Sequence, residues 1–387
     1  CTQITNDDIK QFVNLIVTQG RSPKWLGFMN SLVKPDPKGL PIKKNQRDVI
    51  KELVANKMKT MLASGDDKPS IFVAQEDWNI CVGLMEESTG SDHAEPLRYH
   101  VELVSLLCKC AQGKNRAAEE LCQQQLPMDA IIRGLLDDRT IPYVKKTYLE
   151  FLWESYIEVD RRYPATQFDA EIWKAMERMA ADLQDCIDLQ YDLKGFQEKP
   201  LDEHDKKEKV QYLYATVVWF LDNWFGGGGG PSYYEPDTWA TFGGTAEDKD
   251  KHAATSTKLL DGVCCLNDPN SPPLQECEIT TSQKDAVNVC VYRMMERGVK
   301  PSSENAKLAE KLKEKGREYL DNRDMYPPGR PPLTNEVLTQ KGLTLFARDL
   351  KELVERLEER NPPGEKISAS NRGSFSQQGP LVQKLRV

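Results

Sequence analysis

Residues 97–115 read LRYHVELVSLLCKCAQGKN, and this stretch decides the fold. Leu97, Tyr99, Val101, Leu103, Val104, Leu106, Leu107, Cys108 and Cys110 leave almost no polar face. A helix that is apolar on nearly every side has to be enclosed by other helices. Gly113 supplies the stop, because it takes the left-handed conformation without a Cβ clash. The reading is a buried helix at the centre of an all-α stack.

The residues that follow extend the stack. Arg116 to Gln125 predicts a short helix, and Leu126-Pro127-Met128-Asp129 opens another, with Pro127 tolerated near a first turn. That helix runs through Ile131, Ile132, Leu135 and Leu136. Thr140 reads as an N-cap and Pro142 as a first-turn residue for the next helix. Tyr148, Leu149, Phe151, Leu152, Trp153, Tyr156 and Ile157 make that helix a thick apolar rod. Helices joined by short turns, each needing its neighbours for burial, describe an armadillo- or HEAT-like helical solenoid with a disordered linker and tail.

Upstream, residues 1–41 predict a helical pair leading into the solenoid. Thr5-Asn6-Asp7-Asp8 caps the first helix, Gly20 ends it and Ser22-Pro23 starts the second. Residues 42–194 read as one armadillo-like module. It opens on an expected helix from Asn45 to Leu62 and includes an extended piece at Ile71-Phe72-Val73. Residues 195–225 hold a charged linker, Glu198 to Lys209, and an aromatic helix ending at Phe225. Five glycines, Gly226 to Gly230, then begin a stretch, residues 226–252, that reads as a flexible Gly-rich and acidic linker. Helices resume at about Ala253 and continue through residues 253–360; residues 361–387 read as a disordered tail.

Composition narrows the function. The 387 residues are 39% hydrophobic and 29% charged, which suits a helical protein with extensive wet faces. A formal net charge of -8 argues against a nucleic-acid partner, since phosphate contacts need a basic surface. The ten cysteines sit mostly in apolar helical runs, where a thiol behaves as a small hydrophobe and points to a reducing compartment. With four histidines and no CxxC pair, no metal-site spacing can be assembled, and no cofactor motif occurs. The most hydrophobic window, Tyr212 to Phe225, is interrupted by Asp222 and is shorter than the roughly 20 residues of a membrane span. The start at Cys1, without Met or a signal peptide, is read as a piece of something longer with no direct membrane contact of its own.

From Pro69 to about Tyr191 the sequence resembles the homology module shared by ryanodine and inositol trisphosphate receptors, and within that pair the second such module of the inositol trisphosphate receptor family. The resemblance rests on Tyr99-His100, Leu103-Val104, Leu106-Leu107, Cys110, Gly113-Lys114-Asn115, Leu126-Pro127 and Asp129. It continues at Ile141-Pro142, Val144-Lys145, Tyr148, Phe151-Leu152 and Trp173-Lys174. Ile4-Thr5-Asn6, Gly20-Arg21 and Leu26-Gly27-Phe28 are similar to the family just upstream, and Ser282-Gln283-Lys284 with Val287 and Cys290 more thinly downstream. The resemblance implies a cytosolic regulatory segment of a homotetrameric calcium-release channel of the endoplasmic reticulum membrane. Its partners would be other domains and subunits of that channel, with regulatory proteins as further ones. Inositol trisphosphate would bind elsewhere in the full chain, because no β-trefoil pattern occurs here. The implied full-length protein carries an upstream β-trefoil and six apolar spans beyond Val387.

Each candidate site also has a plain structural reading. His100 could serve as a base, yet no nucleophile is arranged with it, so a hydrogen-bonded core histidine is expected. Cys108 and Cys110 point to different sides of one helix, so core packing is expected. The basic clusters Lys43-Lys44-Arg47, Lys145-Lys146, Arg161-Arg162 and Lys206-Lys207-Lys209 are expected to be solvated faces or subunit contacts. The acidic pairs Asp7-Asp8, Asp66-Asp67, Glu86-Glu87 and Asp137-Asp138 lack calcium-loop spacing. Ser374, in Asn371-Arg372-Gly373-Ser374, resembles a phosphorylated linker serine of the family, departing from it at Asn371, where a second basic residue is usual. Tyr99, His100, Leu103, Leu106, Leu107, Gly113, Pro142, Tyr148, Phe151 and Trp173 are the expected module core. The expectation is a non-enzymatic relay; the alternative, a soluble armadillo-like protein-binding scaffold, usually presents a ladder of exposed Asn or Trp that this sequence does not show.

Overall fold

The computed structural model describes residues 5–35, 39–60, 75–86, 94–159, 170–184, 203–226, 233–234, 245–271 and 277–321. Among these residues the secondary structure is helix alone. The helices are α1 Asn6–Gln19, α2 Pro23–Val33, α3 Lys43–Ala55, α4 Lys57–Thr60, α5 Gln75–Glu86, α6 Glu95–Ala111, α7 Arg116–Gln125, α8 Met128–Leu136 and α9 Pro142–Leu152. They continue as α10 Ala170–Gln184, α11 Glu203–Gln211, α12 Val218–Gly226, α13 Ala246–Leu266, α14 Thr281–Glu296 and α15 Ala306–Asp321. Two wide turns interrupt the α pattern. One, π1 Trp153–Ile157, prolongs α9; the other, π2 Tyr212–Val217, joins α11 to α12.

The order of packing makes the chain a solenoid. One row passes from α2 to α6, α9, π2 with α12, α14 and α15, each helix packed on the next. A second row flanks it, with α1, α3 and α7 against one end and α8, α10 and α13 along the rest. A single continuous core runs from Ile9 in α1 to Leu312 in α15. Such a stack holds together through neighbour contacts, so its parts are distinguishable in stability.

Helix α6 sits where the sequence places it, with Leu97, Tyr99, Val101, Leu103, Val104, Leu106, Leu107, Cys108 and Cys110 all buried. Gly113 follows at φ +82°, and Lys114 adopts φ +60°, an unusual left-handed conformation for a side-chain-bearing residue. Thr5 closes a capping box with Asp8, and Pro23 occupies the first turn of α2.

Several bounds differ from expectation. The helix expected from Asn45 to Leu62 starts at Lys43 and breaks at Asn56, whose amide Nδ2 donates to Glu52 O at 2.9 Å. Residue 140 does not cap α9: Thr140 is fully buried and its hydroxyl donates back to Gly134 O at 2.6 Å, closing α8, while Ile141 is the N-cap. Part of the charged run is already helical, since α11 begins at Glu203. Helix α13 begins at Ala246, ahead of Ala253, because Thr245 and Asp248 form a capping box. Within the glycine-rich stretch, Tyr233 and Tyr234 are buried, Tyr233 stacking on Trp224 with ring centroids 5.4 Å apart. The extended piece expected at Ile71-Phe72-Val73, the elbow after Asp321 and the tail lie outside the described residues.

Candidate functional site: a buried ionic hub and a capped turn

Helices α9 and α10 and the turn π2 converge on one carboxylate. Asp182 lies three residues after Met179 and one before Leu183, on the apolar stripe of α10, so its side chain enters the core. Lys145 Nζ approaches its Oδ1 at 2.8 Å, with the two side chains 1% and 4% exposed. Arg178, one turn earlier on α10, reaches the same oxygen through Nη2 at 2.8 Å. The hydroxyl of Tyr212, in π2, donates to Oδ2 at 2.8 Å. Arg178 also pairs with Asp138, in the turn after α8. Two cations and two carboxylates therefore balance, with Asp182 inside the stack and Asp138 at its surface. Burial lowers the Lys145 pKa, and the Asp182 charge opposes that shift.

Lys145 was expected on a solvated face with Lys146, and the structure corrects this. A charge taken out of water has to be paired, and Asp182 supplies the pair. The sequence carried a signal for the hub, a charged residue on an otherwise apolar stripe, but it does not show which stripes meet.

The second polar cluster forms around Gly113-Lys114-Asn115. Gln46 of α3 is fully buried, and its Nε2 donates to Lys109 O at 2.8 Å and Gln112 O at 2.6 Å, satisfying carbonyls at the end of α6. Asn115 Nδ2 donates to Gln46 Oε1 at 2.8 Å. Gln112 donates to Glu154 of π1 at 2.9 Å, and Lys114 pairs with Glu158 at 2.7 Å. A Cβ on Gly113 would lie 3.3 Å from the Pro41 ring, so this turn requires glycine for both its φ and its packing. The turn thus ties α3, α6 and π1 together. Gln46 had not been singled out; a polar residue on the buried side of an amphipathic helix was its only signal.

The remaining candidates fall into place individually. Tyr99 donates to Thr60 O at 2.6 Å. His100 is fully buried with Nε2 3.0 Å from the Tyr148 hydroxyl, and burial pushes its pKa down to about 3. It is therefore neutral at physiological pH and sits as a hydrogen-bonded core residue. Leu103, Leu106, Leu107 and Phe151 are within the core, and Pro142 occupies the first turn of α9. Trp173 stacks on His252 at 3.9 Å and 7° between planes. Cys108 and Cys110 are buried thiols outside any disulfide; burial raises the Cys110 pKa, which leaves its thiol protonated.

The acidic pairs are occupied by their own surroundings. Asp8 caps α1; Asp137 accepts from Arg139 and from Trp78 Nε1 at 2.9 Å; Asp138 pairs with Arg178. Among the described residues no group of three or more His, Cys, Asp or Glu side chains could hold a metal ion. Among them, too, no helix is long and apolar enough to cross a membrane. Lys43 donates to Lys114 O at 3.2 Å. Asp66-Asp67, Glu87, Arg161-Arg162 and Ser374 lie outside the described residues.

No family model matches the chain. A curated relative, the inositol 1,4,5-trisphosphate receptor itr-1 of Caenorhabditis elegans, is 31% identical over 164 residues, or 41% of this chain. The chain spans 5% of that relative's length. The similarity establishes a distant relationship to an inositol trisphosphate receptor.

Proposed function

We propose that this chain is a regulatory solenoid segment, on the cytosolic face, of an inositol trisphosphate-gated calcium-release channel of the endoplasmic reticulum membrane. The segment carries ligand-induced movement toward the membrane gate, and its partners are other domains and subunits of a homotetramer. Inositol trisphosphate binds elsewhere in the full protein. The observation that carries the reading is the 31% identity to a named receptor of this kind over 164 residues. The architecture supports it: helices packed neighbour on neighbour, with charges consumed in fixing one helix to the next. Small rotations accumulate along such a stack. The segment works without catalysis on this reading; His100 is neutral, and the Asp182 carboxylate is filled by Lys145, Arg178 and Tyr212.

The test expresses the full coding sequence that contains this chain in cells lacking endogenous inositol trisphosphate receptors. Calcium release on addition of inositol trisphosphate is expected. It should be abolished when the turn after α6 is disrupted by Gly113→Val while ligand binding by the full protein persists. A full-length product with no ligand-evoked release would overturn the reading and favour a protein-binding scaffold.

A further inference from the structure

The two wide turns are the described segments in which the helix itself widens; elsewhere a five-residue bond occurs past a helix end, where the Val299 N–H donates to Met294 O at 3.2 Å. In π1 the Glu158 N–H donates to Trp153 O at 2.8 Å, and in π2 the Val218 N–H donates to Leu213 O, each spanning five residues instead of four. Each turn holds one buried aliphatic hydroxyl. Ser155 is 0% exposed and Thr216 1%, and neither hydroxyl finds an acceptor among the described residues. Elsewhere in this protein four helical hydroxyls bond back by four residues: Thr18 to Asn14 O, Ser31 to Gly27 O, Thr60 to Asn56 O and Ser256 to His252 O, at 2.8 to 3.3 Å. The wider turn denies Ser155 and Thr216 that carbonyl.

The turns are also coupled. Turn π2 packs on α9, the helix that π1 prolongs. Trp153, the first residue of π1, stands edge-on to Trp219 and Phe220 of α12, with centroids 5.6 and 5.2 Å away, immediately past π2. Each turn is gripped from outside as well. Gln123 of α7 donates to Ser155 O at 2.5 Å and Tyr156 donates to Leu126 O at 2.9 Å, while Tyr214 of π2 donates to Leu266 O at the end of α13.

We propose that π1 and π2 form a paired register hinge, in which each turn exchanges between its wide form and ordinary four-residue pairing, with Trp153 transmitting the change from one to the other. In the four-residue form Ser155 and Thr216 donate to Phe151 O and Tyr212 O, as those four helical hydroxyls do. In π2, which has helix on both sides, losing one residue from the turn rotates one side relative to the other by about 100° and slides it about 1.5 Å. For π2 the helices so displaced are α11 and α12, which carry Tyr212 of the ionic hub at their junction and Asp222 beyond it. The hinge adds a discrete step between the two ends of the solenoid to the small rotations that accumulate along it. The claim concerns this chain's own mechanics and stands apart from the channel assignment.

Hydrogen–deuterium exchange on the chain, followed by mass spectrometry, tests it. Peptides covering residues 153–158 and 212–218 should exchange about tenfold faster than residues 103–107 of α6, although all three are equally buried. The double variant S155A/T216V removes the bonds that only the four-residue form would gain, so exchange in both turns should slow by about threefold or more. The single variants are read the same way if the double variant does not fold. Exchange in the turns as slow as in α6 would overturn the hinge. Fast exchange that the variants leave unchanged would also overturn it, because it would mean simple fraying. Neither result bears on calcium release by the full protein.

Discussion

Helices α6 and α12 are both largely enclosed, yet different forces hold them. Around α6 the enclosure is mostly aliphatic, and the fully buried pair at its centre, His100 with Tyr148, is neutral. Around α12 it is aromatic, with Trp219, Phe220, Trp224 and Phe225 met by Trp153, Tyr233 and Tyr234, and a buried carboxylate, Asp222, held by Arg293 at 2.7 Å. Between the two stands the ionic hub of Lys145, Arg178, Asp182 and Tyr212. The contrast separates two ways of making a rigid seam. Aliphatic packing is tolerant of small shifts, whereas rings and buried charges penalise small departures, so that movement there proceeds by a whole register step.

The hub should break this contrast most severely. Asp182→Ala leaves Lys145 and Arg178 facing the core without their shared carboxylate, and stability should fall by about 3–5 kcal/mol. Urea denaturation measures it. A loss under 1 kcal/mol would mean that water reaches these groups and that the seam is not dry.

The far end of the stack depends on a close backbone approach instead. A Cβ on Gly316 of α15 would lie 2.2 Å from Asn288 O of α14. That contact is with backbone, which cannot swing aside. Gly316→Ala should therefore cost toward the upper end of about 1–3 kcal/mol. Because the solenoid is held by neighbour contacts, the loss should appear as faster amide exchange in α14 and α15 while α6 keeps its protection.

Acid distinguishes the two regions by sign. His100 has a folded pKa of about 3 against an ordinary 6.5, so burial makes the folded state refuse a proton that the unfolded chain accepts. Its contribution is present above pH 6.5 and is lost as the pH falls toward 3, by about 2 kcal/mol between pH 6.5 and 5. Asp222 runs the other way. Burial raises it from an ordinary 3.8 to about 6 despite Arg293, so its penalty is present above pH 6 and is relieved as the pH falls toward 3.8. The two nearly offset below pH 6. Asp222→Asn should steepen the acid loss of stability between pH 6 and 5, and His100→Gln should reverse its slope. Denaturation midpoints at several pH values decide this; parallel curves for all three proteins would refute the assignment.

How much was legible in the sequence follows the same division. The bounds of α1, α2, α6 and α7 and the Gly113 turn could be read because caps, glycine stops and apolar spacing are local signals. Tyr99, His100, Leu107, Tyr148 and Phe151 were readable as core for the same reason. The hub was not, because Lys145 and Asp182 are 37 residues apart and only folding shows that their stripes meet. Thr140 was misread as an N-cap because the sequence offers the same hydroxyl to the helix before it and the helix after it, and Gly134 O is the acceptor it reaches. Tyr233 and Tyr234 were assigned to a linker because the surrounding glycine masked two aromatic anchors.

The smallest effect tests that last misreading. Helix α13 starts inside a segment whose composition reads as linker, and it starts there because Thr245 Oγ1 accepts from Asp248 N at 3.1 Å while Asp248 returns the bond to the Thr245 N–H at 3.2 Å. Thr245→Ala removes one half of that box and should cost about 1 kcal/mol. Its consequence is local: the first two turns of α13 carry His252, which stacks on Trp173 of α10. Fraying back to the expected start near Ala253 would release that stack, so Trp173 should become more accessible to an acrylamide quencher while the bulk of the core is unchanged. Full protection of Trp173 in the variant would show instead that ring stacking, and not the cap, holds the start of the helix.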